Sequence, residues 1–170
     1  MDLKTYIRDV PDFPKKGILF KDITPLLRDP EALKFCVDAL AKPFRRNKVT
    51  KVAAIESRGF IFGSCVARLL NAGFVPIRKP GKLPWTKRRN EYVLEYGTDA
   101  LEIHDDAVTA DDRVVLIDDV LATGGTAAAA SCLIRELGAD LVGVAMVIEL
   151  SFLNGRRKLD GTPVHSLITY

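Results

Sequence analysis

The stretch that decides the fold is RVVLIDDVLATGGTAAAA, which spans residues 113–130. Its apolar segment, residues 114–117, is rich in β-branched side chains, the pattern of a strand buried on both faces. Two carboxylates, Asp118 and Asp119, follow at the predicted end of that strand, and a Gly/Thr loop comes next. The small residues from Ala127 onward have high helix propensity. The stretch therefore predicts a strand, an acidic pair, a glycine loop and a helix, in that order.

The Gly/Thr loop has the composition of an anion-binding site. A glycine loop that enters a helix leaves backbone N–H groups unpaired, and the helix dipole adds partial positive charge. Gly124 and Gly125 let the backbone approach an anion closely, while Thr123 and Thr126 supply hydroxyl donors. Together with Ala122, these residues are predicted to bind a phosphate group.

The acidic pair has a different ligand preference, because Asp118 and Asp119 would repel a phosphate and suit hydroxyl groups or a hydrated metal ion. A ribose 5-phosphate satisfies both the loop and the carboxylates, at the strand ends where open parallel sheets bind ligands. The alternative is a plain strand–turn–helix crossover with solvated aspartates, and the joint occurrence of all three features favours the sugar phosphate. The GxGxxG and GxxxxGK[ST] motifs are absent, which argues against a nicotinamide enzyme or an NTPase.

Length and composition favour one domain of a cytoplasmic protein. The 170 residues carry a formal net charge of +3, which is too weak by itself to indicate a nucleic-acid partner. The three cysteines, Cys36, Cys65 and Cys132, are widely separated and form no CxxC pair, so we expect reduced thiols. The N-terminus is charged where a signal peptide needs an apolar core, and no apolar run reaches the ~18 residues that span a membrane. No membrane or nucleic-acid partner is therefore expected.

Strands and helices alternate along the rest of the chain. Asp29 and Pro30 have the residue types of a helix N-cap and first helical position. A second anion-competent loop, ESRG at residues 56–59, lies between a predicted strand and a predicted helix. This alternation predicts an α/β fold with a mostly parallel sheet and right-handed crossovers. The predicted strands are residues 51–55, 75–77, 114–117, 141–148 and 164–170. Helices are predicted to begin at residues 30, 60 and 127, and the second of them to end at Gly73. Residues 92–97 and 101–104 are predicted to form a hairpin that turns at 98–99, and residues 1–28 to be irregular.

Residues 78–89 carry six basic side chains in twelve positions, with prolines that interrupt regular structure. A solvated loop, an RNA-contacting strip around Trp85, and a mobile lid that brings cations over a polyphosphate are the three interpretations. The lid is favoured for residues 78–82, because they directly follow a predicted strand end. For residues 87–89 plain solvation is favoured.

The motifs in combination resemble the type I phosphoribosyltransferase family, and within it the branch that acts on adenine, over essentially the full length. The motifs that carry the resemblance are FP at 13–14, GILFKDI at 17–23, SRGF at 57–60, RKPGKLP at 78–84, LEYG at 94–97, LEIH at 101–104 and the stretch at 113–130. The resemblance implies the type I phosphoribosyltransferase fold, with helices flanking the central sheet. It also implies a small hood formed largely by residues 1–28 and a flexible β-hairpin lid within a mobile loop at about residues 79–103.

The implied reaction is adenine plus phosphoribosyl pyrophosphate giving AMP and pyrophosphate, with Mg²⁺, in a homodimer. By resemblance, Asp118 and Asp119 hold the ribose hydroxyls and favour a cationic sugar, and the Gly/Thr loop holds the 5-phosphate. Glu95 corresponds to the family's proposed acid/base for the purine. Mg²⁺ is expected to be held by substrate oxygens and water, so no protein metal ligand is predicted.

The remaining site residues are likewise carried over from the family. Ser57, Arg58 and Gly59 match its pyrophosphate loop, and Lys82 is placed to close on the pyrophosphate. The adenine contacts would be the Leu19 carbonyl accepting from N6, the Lys21 amide donating to N1 and Phe20 stacking on the ring, with Tyr96 closing over the substrate. The alternatives are a phosphoribosyltransferase for a 6-oxopurine and a non-catalytic sensor of phosphoribosyl pyrophosphate. Such a sensor usually carries a DNA-reading domain, for which no room is expected before Pro11.

Overall fold

A computed structural model describes residues 1–94 and 97–170. The strands are β1 (Arg8–Pro11), β2 (Leu19–Asp22), β3 (Lys51–Ile55), β4 (Gly73–Ile77), β5 (Lys87–Leu94), β6 (Gly97–His104), β7 (Arg113–Leu121), β8 (Asp140–Glu149) and β9 (Val164–Thr169). The helices are α1 (Thr24–Arg28), α2 (Pro30–Ala41), α3 (Gly59–Leu70) and α4 (Gly125–Glu136). Short 3₁₀ turns occur at Leu3–Tyr6, Lys42–Phe44, Ser151–Leu153 and Gly155–Lys158.

The centre of the molecule is a five-stranded parallel sheet in the order β4-β3-β7-β8-β9. Successive residues of its strands face opposite sides, so two cores form. Val115 and Ile117 of β7 pack with α2 and α3, whereas Val114 and Leu116 pack with α4 and the β5–β6 hairpin. This is the layered α/β arrangement that the alternation of strands and helices predicts. Over the described length of the chain, none of the helices has the length and apolar character needed to cross a membrane.

The sequence-based boundaries need four corrections. Strand β7 does not end at residue 117 but runs to Leu121, because its pairing with β8 continues to the Leu121–Glu149 pair. Helix α3 is ended by Asn71 in the left-handed conformation (φ 54°), and Gly73 instead begins β4. Residues 98–99 lie inside β6 rather than in a turn, and residues 87–89 lie in β5 rather than in a solvated loop.

A further correction concerns residues 1–28, which are not irregular. Strands β1 and β2 form an antiparallel ribbon in which Val10 is opposite Phe20 and Asp9 is opposite Lys21. The ribbon places residues 19–21 beside the carboxyl ends of the central strands, where they help to line a cavity.

Strand β4 forms one edge of the central sheet. Gly73 N–H donates to the Thr50 carbonyl and the Ile77 carbonyl accepts from Glu56 N–H, both at 2.9 Å. In a parallel strand the N–H and C=O of one residue point to the same side, and alternate residues point to opposite sides. The backbone of Pro76 therefore faces away from β3.

Candidate active site

A cavity of about 530 Å³ lies at the carboxyl ends of β3 and β7, where ligands bind in open α/β sheets. The β1–β2 ribbon, the turn after β3, the acidic pair of β7 and the start of α4 all contribute to it. The lining residues are Ile18, Leu19, Phe20, Lys21, Ile55, Glu56, Ser57, Arg58, Lys79, Asp118, Asp119, Val120, Ala122, Thr126 and Leu150. The structure thus brings together side chains predicted for the base, the sugar and the pyrophosphate.

Asp118 and Asp119 are buried within β7 rather than exposed beyond its end. The Asp119 backbone N–H donates to Asp118 Oδ1 at 2.8 Å. Burial, and next the adjacent Asp119 charge, raise the pKa of Asp118 well above its ordinary value. Burial also raises the pKa of Asp119, although the Arg58 charge opposes that shift. The two neighbouring carboxyls therefore have different electrostatic surroundings.

Asp119 Oδ2 lies 2.6 Å from Arg58 Nε, and the Asp119 side chain is only 6% exposed. Within the described part of the chain this oxygen nevertheless accepts no aligned hydrogen bond. Arg58 and Asp119 are thus opposite charges in close contact, but the Arg58 N–H is not aligned with the Asp119 oxygen for a hydrogen bond. A buried carboxylate oxygen without an aligned donor is a ready acceptor for a ligand hydroxyl.

Gly59 joins the turn after β3 to the acidic pair. A Cβ atom at this position would lie 2.8 Å from Asp118 Oδ1 and 3.1 Å from the Ile117 carbonyl oxygen. Only glycine fits this close approach. Gly59 begins α3, so Ser57 and Arg58 immediately precede a helix N-terminus that faces Asp118.

The loop predicted to bind phosphate connects β7 to α4. Gly124 has φ 80° and precedes α4, a conformation that favours glycine. Ala122 and Thr126 reach the cavity, whereas Thr123 and Gly125 complete the turn without lining it. The helix therefore begins at Gly125, two residues before the predicted start, and its N-terminus is directed at the loop.

Sequence analysis missed two residues that support this site. Glu56 binds both Arg78 Nε at 2.6 Å and Lys82 Nζ at 2.7 Å. Burial alone would raise the pKa of Glu56, but the hydrogen bonds from Lys82 and Arg78 outweigh burial and lower it. Gly155 packs directly against the backbone of the loop between β7 and α4, and a Cβ on Gly124 would lie 2.2 Å from its carbonyl oxygen. The sequence points to these roles only weakly. Glu56 is part of the ESRG motif at residues 56–59, and Gly155 is a single glycine in the segment NGRR at residues 154–157.

The β5–β6 hairpin contacts the same helix start. Lys79 binds Asp99, and its Nζ also donates to the Tyr92 hydroxyl at 3.0 Å. The Tyr92 hydroxyl in turn accepts from Thr126 Oγ1 at 3.3 Å. The hairpin is therefore linked by hydrogen bonds to the first turn of α4.

The residues predicted for the base lie on β2. The Arg58 guanidinium lies 5.1 Å from the centre of the Phe20 ring, and the Phe13 ring packs against Phe20 in a T-shaped arrangement with the ring centres 5.1 Å apart. The Lys21 ammonium pairs with Asp9 at 2.7 Å and lies 3.8 Å from the Tyr170 ring centre. The Lys21 side chain is thus held by the protein, in keeping with a backbone role toward the base.

Glu95 and Tyr96 lie outside the described residues, between the paired positions Leu94 and Gly97. Among residues 1–94 and 97–170, no group of three or more His, Cys, Asp or Glu side chains has the geometry of a metal centre. Carboxylates do face the cavity, and they fit a metal ion that is held mainly by the oxygens of a ligand.

Comparison with known proteins identifies close relatives. The sequence model of the phosphoribosyl transferase domain family matches residues 23–165. The adenine phosphoribosyltransferase of Anaeromyxobacter dehalogenans is 56% identical over 168 residues, 99% of this chain and 98% of that protein. The crystal structure of adenine phosphoribosyltransferase from Thermoanaerobacter pseudethanolicus has a TM-score of 0.96 at 52% identity, over 99% of this chain and 98% of that one.

A third relative is the adenine phosphoribosyltransferase from Saccharomyces cerevisiae, which was crystallised with adenine and an imino-altritol bisphosphate. It has a TM-score of 0.92 at 43% identity, over 98% of this chain and 96% of that one. All three matches extend over both the sheet and the β1–β2 ribbon, so the shared region includes every part of the cavity. The chain belongs to the phosphoribosyltransferase family.

Proposed function

We propose that this protein transfers the 5-phosphoribosyl group of phosphoribosyl pyrophosphate to adenine, giving AMP and pyrophosphate in purine salvage. The observation that carries the proposal is the cavity that joins the acidic pair of β7 to the start of α4 and to Phe20 of the ribbon. Relatives named adenine phosphoribosyltransferase match nearly the whole chain, and the yeast relative was solved with adenine bound.

The sugar is held at both ends in this proposal. The 5-phosphate binds the loop formed by Ala122, Thr123, Gly124, Gly125 and Thr126, where free N–H groups and the helix dipole meet. Asp118 and Asp119 accept hydrogen bonds from the ribose hydroxyls. Loss of pyrophosphate leaves positive charge on the sugar ring, so negative charge nearby stabilises the transition state more than the ground state.

The pyrophosphate binds the turn after β3 in this scheme. Arg58 and Lys82 supply positive charge, and the backbone of Ser57 and Gly59 supplies donors at the start of α3. Both cations have carboxylate partners in the free protein, Arg58 with Asp119 and Lys82 with Glu56. Pyrophosphate therefore replaces existing ion pairs, and the ribose hydroxyls take the place of Arg58 at Asp119.

Mg²⁺ is proposed as the metal. It would be held by substrate oxygens and by water, and Asp118 and Asp119 are carboxylates of the same cavity. When bound, the ion neutralises negative charge on the departing pyrophosphate. The preference of Mg²⁺ for phosphate oxygens and retained waters supports this arrangement.

Adenine is proposed to stack on Phe20, with the Leu19 carbonyl accepting from N6 and the Lys21 amide donating to N1. This pattern complements a 6-amino purine and not a 6-oxopurine. Glu95 is proposed to exchange a proton with the imidazole ring of the base as the new bond forms, and Tyr96 to cover the bound substrates. Residues 1–28 would act as a hood, and residues 79–103 as a mobile loop.

A homodimer in the cytoplasm is also proposed. An apolar groove of about 570 Å³ between α2 and α3, which includes Leu33, Val37, Cys65 and Leu69, supports a second copy as its partner. The three cysteines are free, which suits a reducing compartment. Light scattering across a dilution series tests the dimer.

The function is tested by incubating phosphoribosyl pyrophosphate with adenine, hypoxanthine, guanine or xanthine, each with and without Mg²⁺. The nucleoside monophosphate formed from each base and the pyrophosphate released are measured. We expect AMP from adenine in the presence of Mg²⁺ and much slower turnover of the 6-oxopurines. Equal turnover of adenine and hypoxanthine would contradict the assignment of the base. Tight binding of phosphoribosyl pyrophosphate with no turnover of any base would instead indicate a sensor.

A further inference from the structure

The segment after β8 touches the proposed 5-phosphate loop at a point where no side chain fits. A Cβ atom on Gly155 would lie 2.3 Å from the Ala122 carbonyl oxygen and 3.0 Å from the Gly124 nitrogen. A Cβ atom on Gly124 would lie 2.2 Å from the Gly155 carbonyl oxygen. The two backbones are therefore in direct contact, and this contact requires glycine at both position 124 and position 155.

The contact at Gly155 differs from an ordinary glycine turn. Gly155 is not among the residues with positive φ, whereas Gly124 has φ 80°. Its lack of a side chain is thus required by the neighbouring loop and not by its own backbone conformation. Gly155 is also buried, so an added methyl group could not point into solvent and would have to displace neighbouring atoms.

Arg156 fixes the position of this turn. Its Nε and Nη2 donate to the two carboxylate oxygens of Glu149, each at 2.6 Å, and its Nη1 donates to the Val164 carbonyl at 2.9 Å. The Glu149 side chain is 7% exposed. The hydrogen bonds from Arg156 lower the pKa of Glu149, so the carboxylate stays charged and the bidentate pair persists at neutral pH.

The same segment is tied to the strand that carries the acidic pair. The Leu150 N–H donates to the Leu121 carbonyl at 2.9 Å, one residue before the loop begins. Leu150 also lines the cavity. The end of β8 and the turn at Gly155 thus hold the loop from two sides of Ala122.

We propose that Gly155, held by the Glu149–Arg156 ion pair, is a positioning residue for the 5-phosphate of the substrate. It sets where the Ala122 carbonyl and the Gly124 N–H lie, and so where the donors of the loop point. The inference rests on the proposed function of that loop. Preorganised donors lose much of their effect when they are displaced by about 1 Å.

This role predicts a selective effect. Phosphoribosyl pyrophosphate and AMP carry the 5-phosphate, whereas adenine does not. Adenine is assigned to residues 19–21 on the β1–β2 ribbon, which is a separate element from the Gly155 turn. Disturbing Gly155 is therefore expected to weaken the phosphorylated ligands and to leave the adenine contacts in place.

The first test compares Gly155→Ala with Gly73→Ala. Gly73 is a matched control because its φ is ordinary and an added Cβ would meet only the flexible Lys51 side chain, 3.0 Å away. We expect Gly155→Ala to raise KM for phosphoribosyl pyrophosphate by about tenfold or more, with KM for adenine changed by less than about twofold. Calorimetric Kd values for phosphoribosyl pyrophosphate should follow the KM values, and the control should match the parent protein in both.

The second test addresses the ion pair if Gly155→Ala does not fold. Arg156→Lys keeps the charge but loses the bidentate geometry, and Arg157→Lys is the control, since Arg157 makes no side-chain hydrogen bond or ion pair with the described residues. We expect only Arg156→Lys to raise KM for phosphoribosyl pyrophosphate, by about threefold or more.

The outcomes separate this inference from the proposed function. Unchanged affinity for phosphoribosyl pyrophosphate in folded Gly155→Ala would overturn the positioning role, as would equal rises in KM for both substrates. Binding of phosphoribosyl pyrophosphate by the parent protein without AMP formation would overturn the proposed activity alone. In that case the selective loss of calorimetric affinity in Gly155→Ala would still support the role of the turn.

Discussion

Arg58 Nε lies 2.6 Å from Asp119 Oδ2, so a residue assigned to pyrophosphate is paired with one assigned to the ribose. The two charges neutralise each other beside the cavity while no substrate is present. Because the Arg58 side chain is 41% exposed and Asp119 is 6% exposed, the arginine is the partner that is free to turn toward a ligand. The Arg58 charge opposes the rise in the pKa of Asp119 that burial causes, and a turn of the arginine would leave the carboxyl group accessible to a hydroxyl group.

Asp119→Asn should lower kcat by about 10²-fold, because it removes a negative charge where positive charge develops on the sugar. The shape of the side chain is kept and Arg58 can be solvated, so the melting temperature should change by only a few degrees. Steady-state kinetics and calorimetry check this prediction. A variant with the parent turnover rate would remove Asp119 from the reaction.

Asp118→Asn should stabilise the free protein at neutral pH while it lowers activity. The pKa of Asp118 is raised in the folded state, so above the unfolded value of about 3.9 the native state binds more protons than the unfolded state. Stability is then lost as pH rises through the folded pKa. Removing this ionisable group should therefore increase the free energy of unfolding at pH 7.

Urea unfolding of the parent protein and of Asp118→Asn between pH 4 and pH 8 measures this effect. The advantage of Asp118→Asn should grow with pH and be smallest at pH 4. Asp106→Asn is the control, because Asp106 is exposed. An advantage that is equal at all pH values would show that the charge of Asp118 is not its source.

Tyr92→Phe should weaken binding of phosphoribosyl pyrophosphate severalfold, because it removes the hydroxyl that joins Thr126 to Lys79. The ring remains, so packing of the hairpin is retained. A double-mutant cycle with Thr126→Ala provides the measurement. If Tyr92 acts through Thr126, its substitution should have little further effect on KM once the Thr126 hydroxyl is gone.

Glu95→Gln should lower kcat more than it alters KM for either substrate, because the amide cannot exchange a proton with the base. The pH dependence of kcat should lose the limb that belongs to this carboxyl. Glu91→Gln is a suitable comparison, since Glu91 of β5 is exposed and pairs only with Arg89 among the described residues. Equal kcat values for Glu95→Gln and the parent would refute the proton role.

Local sequence patterns predicted most strands of the central sheet and several of the residues that line the cavity. Asp29 caps α2 through bonds to the N–H groups of Glu31 and Ala32, as its position before Pro30 indicates. Strand β3 has the predicted bounds, because an apolar run between polar residues leaves few alternatives. Asp119 and Arg58 lie together because parallel strands bring their carboxyl ends to one end of the sheet.

Features that depend on tertiary partners were harder to predict. The continuation of β7 through Asp118 and Asp119 follows from its pairing with β8, which local hydrophobicity does not reveal. The basic residues 87–89 form a strand because residues 102–104 lie opposite them. The contact between Gly155 and Gly124 joins positions far apart in the chain, so no local pattern predicts it.

Pro76 has a consequence for the solubility of the protein. Its backbone faces the outer side of β4, where a proline has no N–H to offer. An incoming strand from another molecule would find no N–H donor at Pro76, and Phe74 would be the other residue of β4 whose backbone faces that strand. Directly after β4, Arg78 pairs with Glu102 of β6 on this outer side. Pro76 and this pairing together hinder the addition of a strand from another molecule to the sheet.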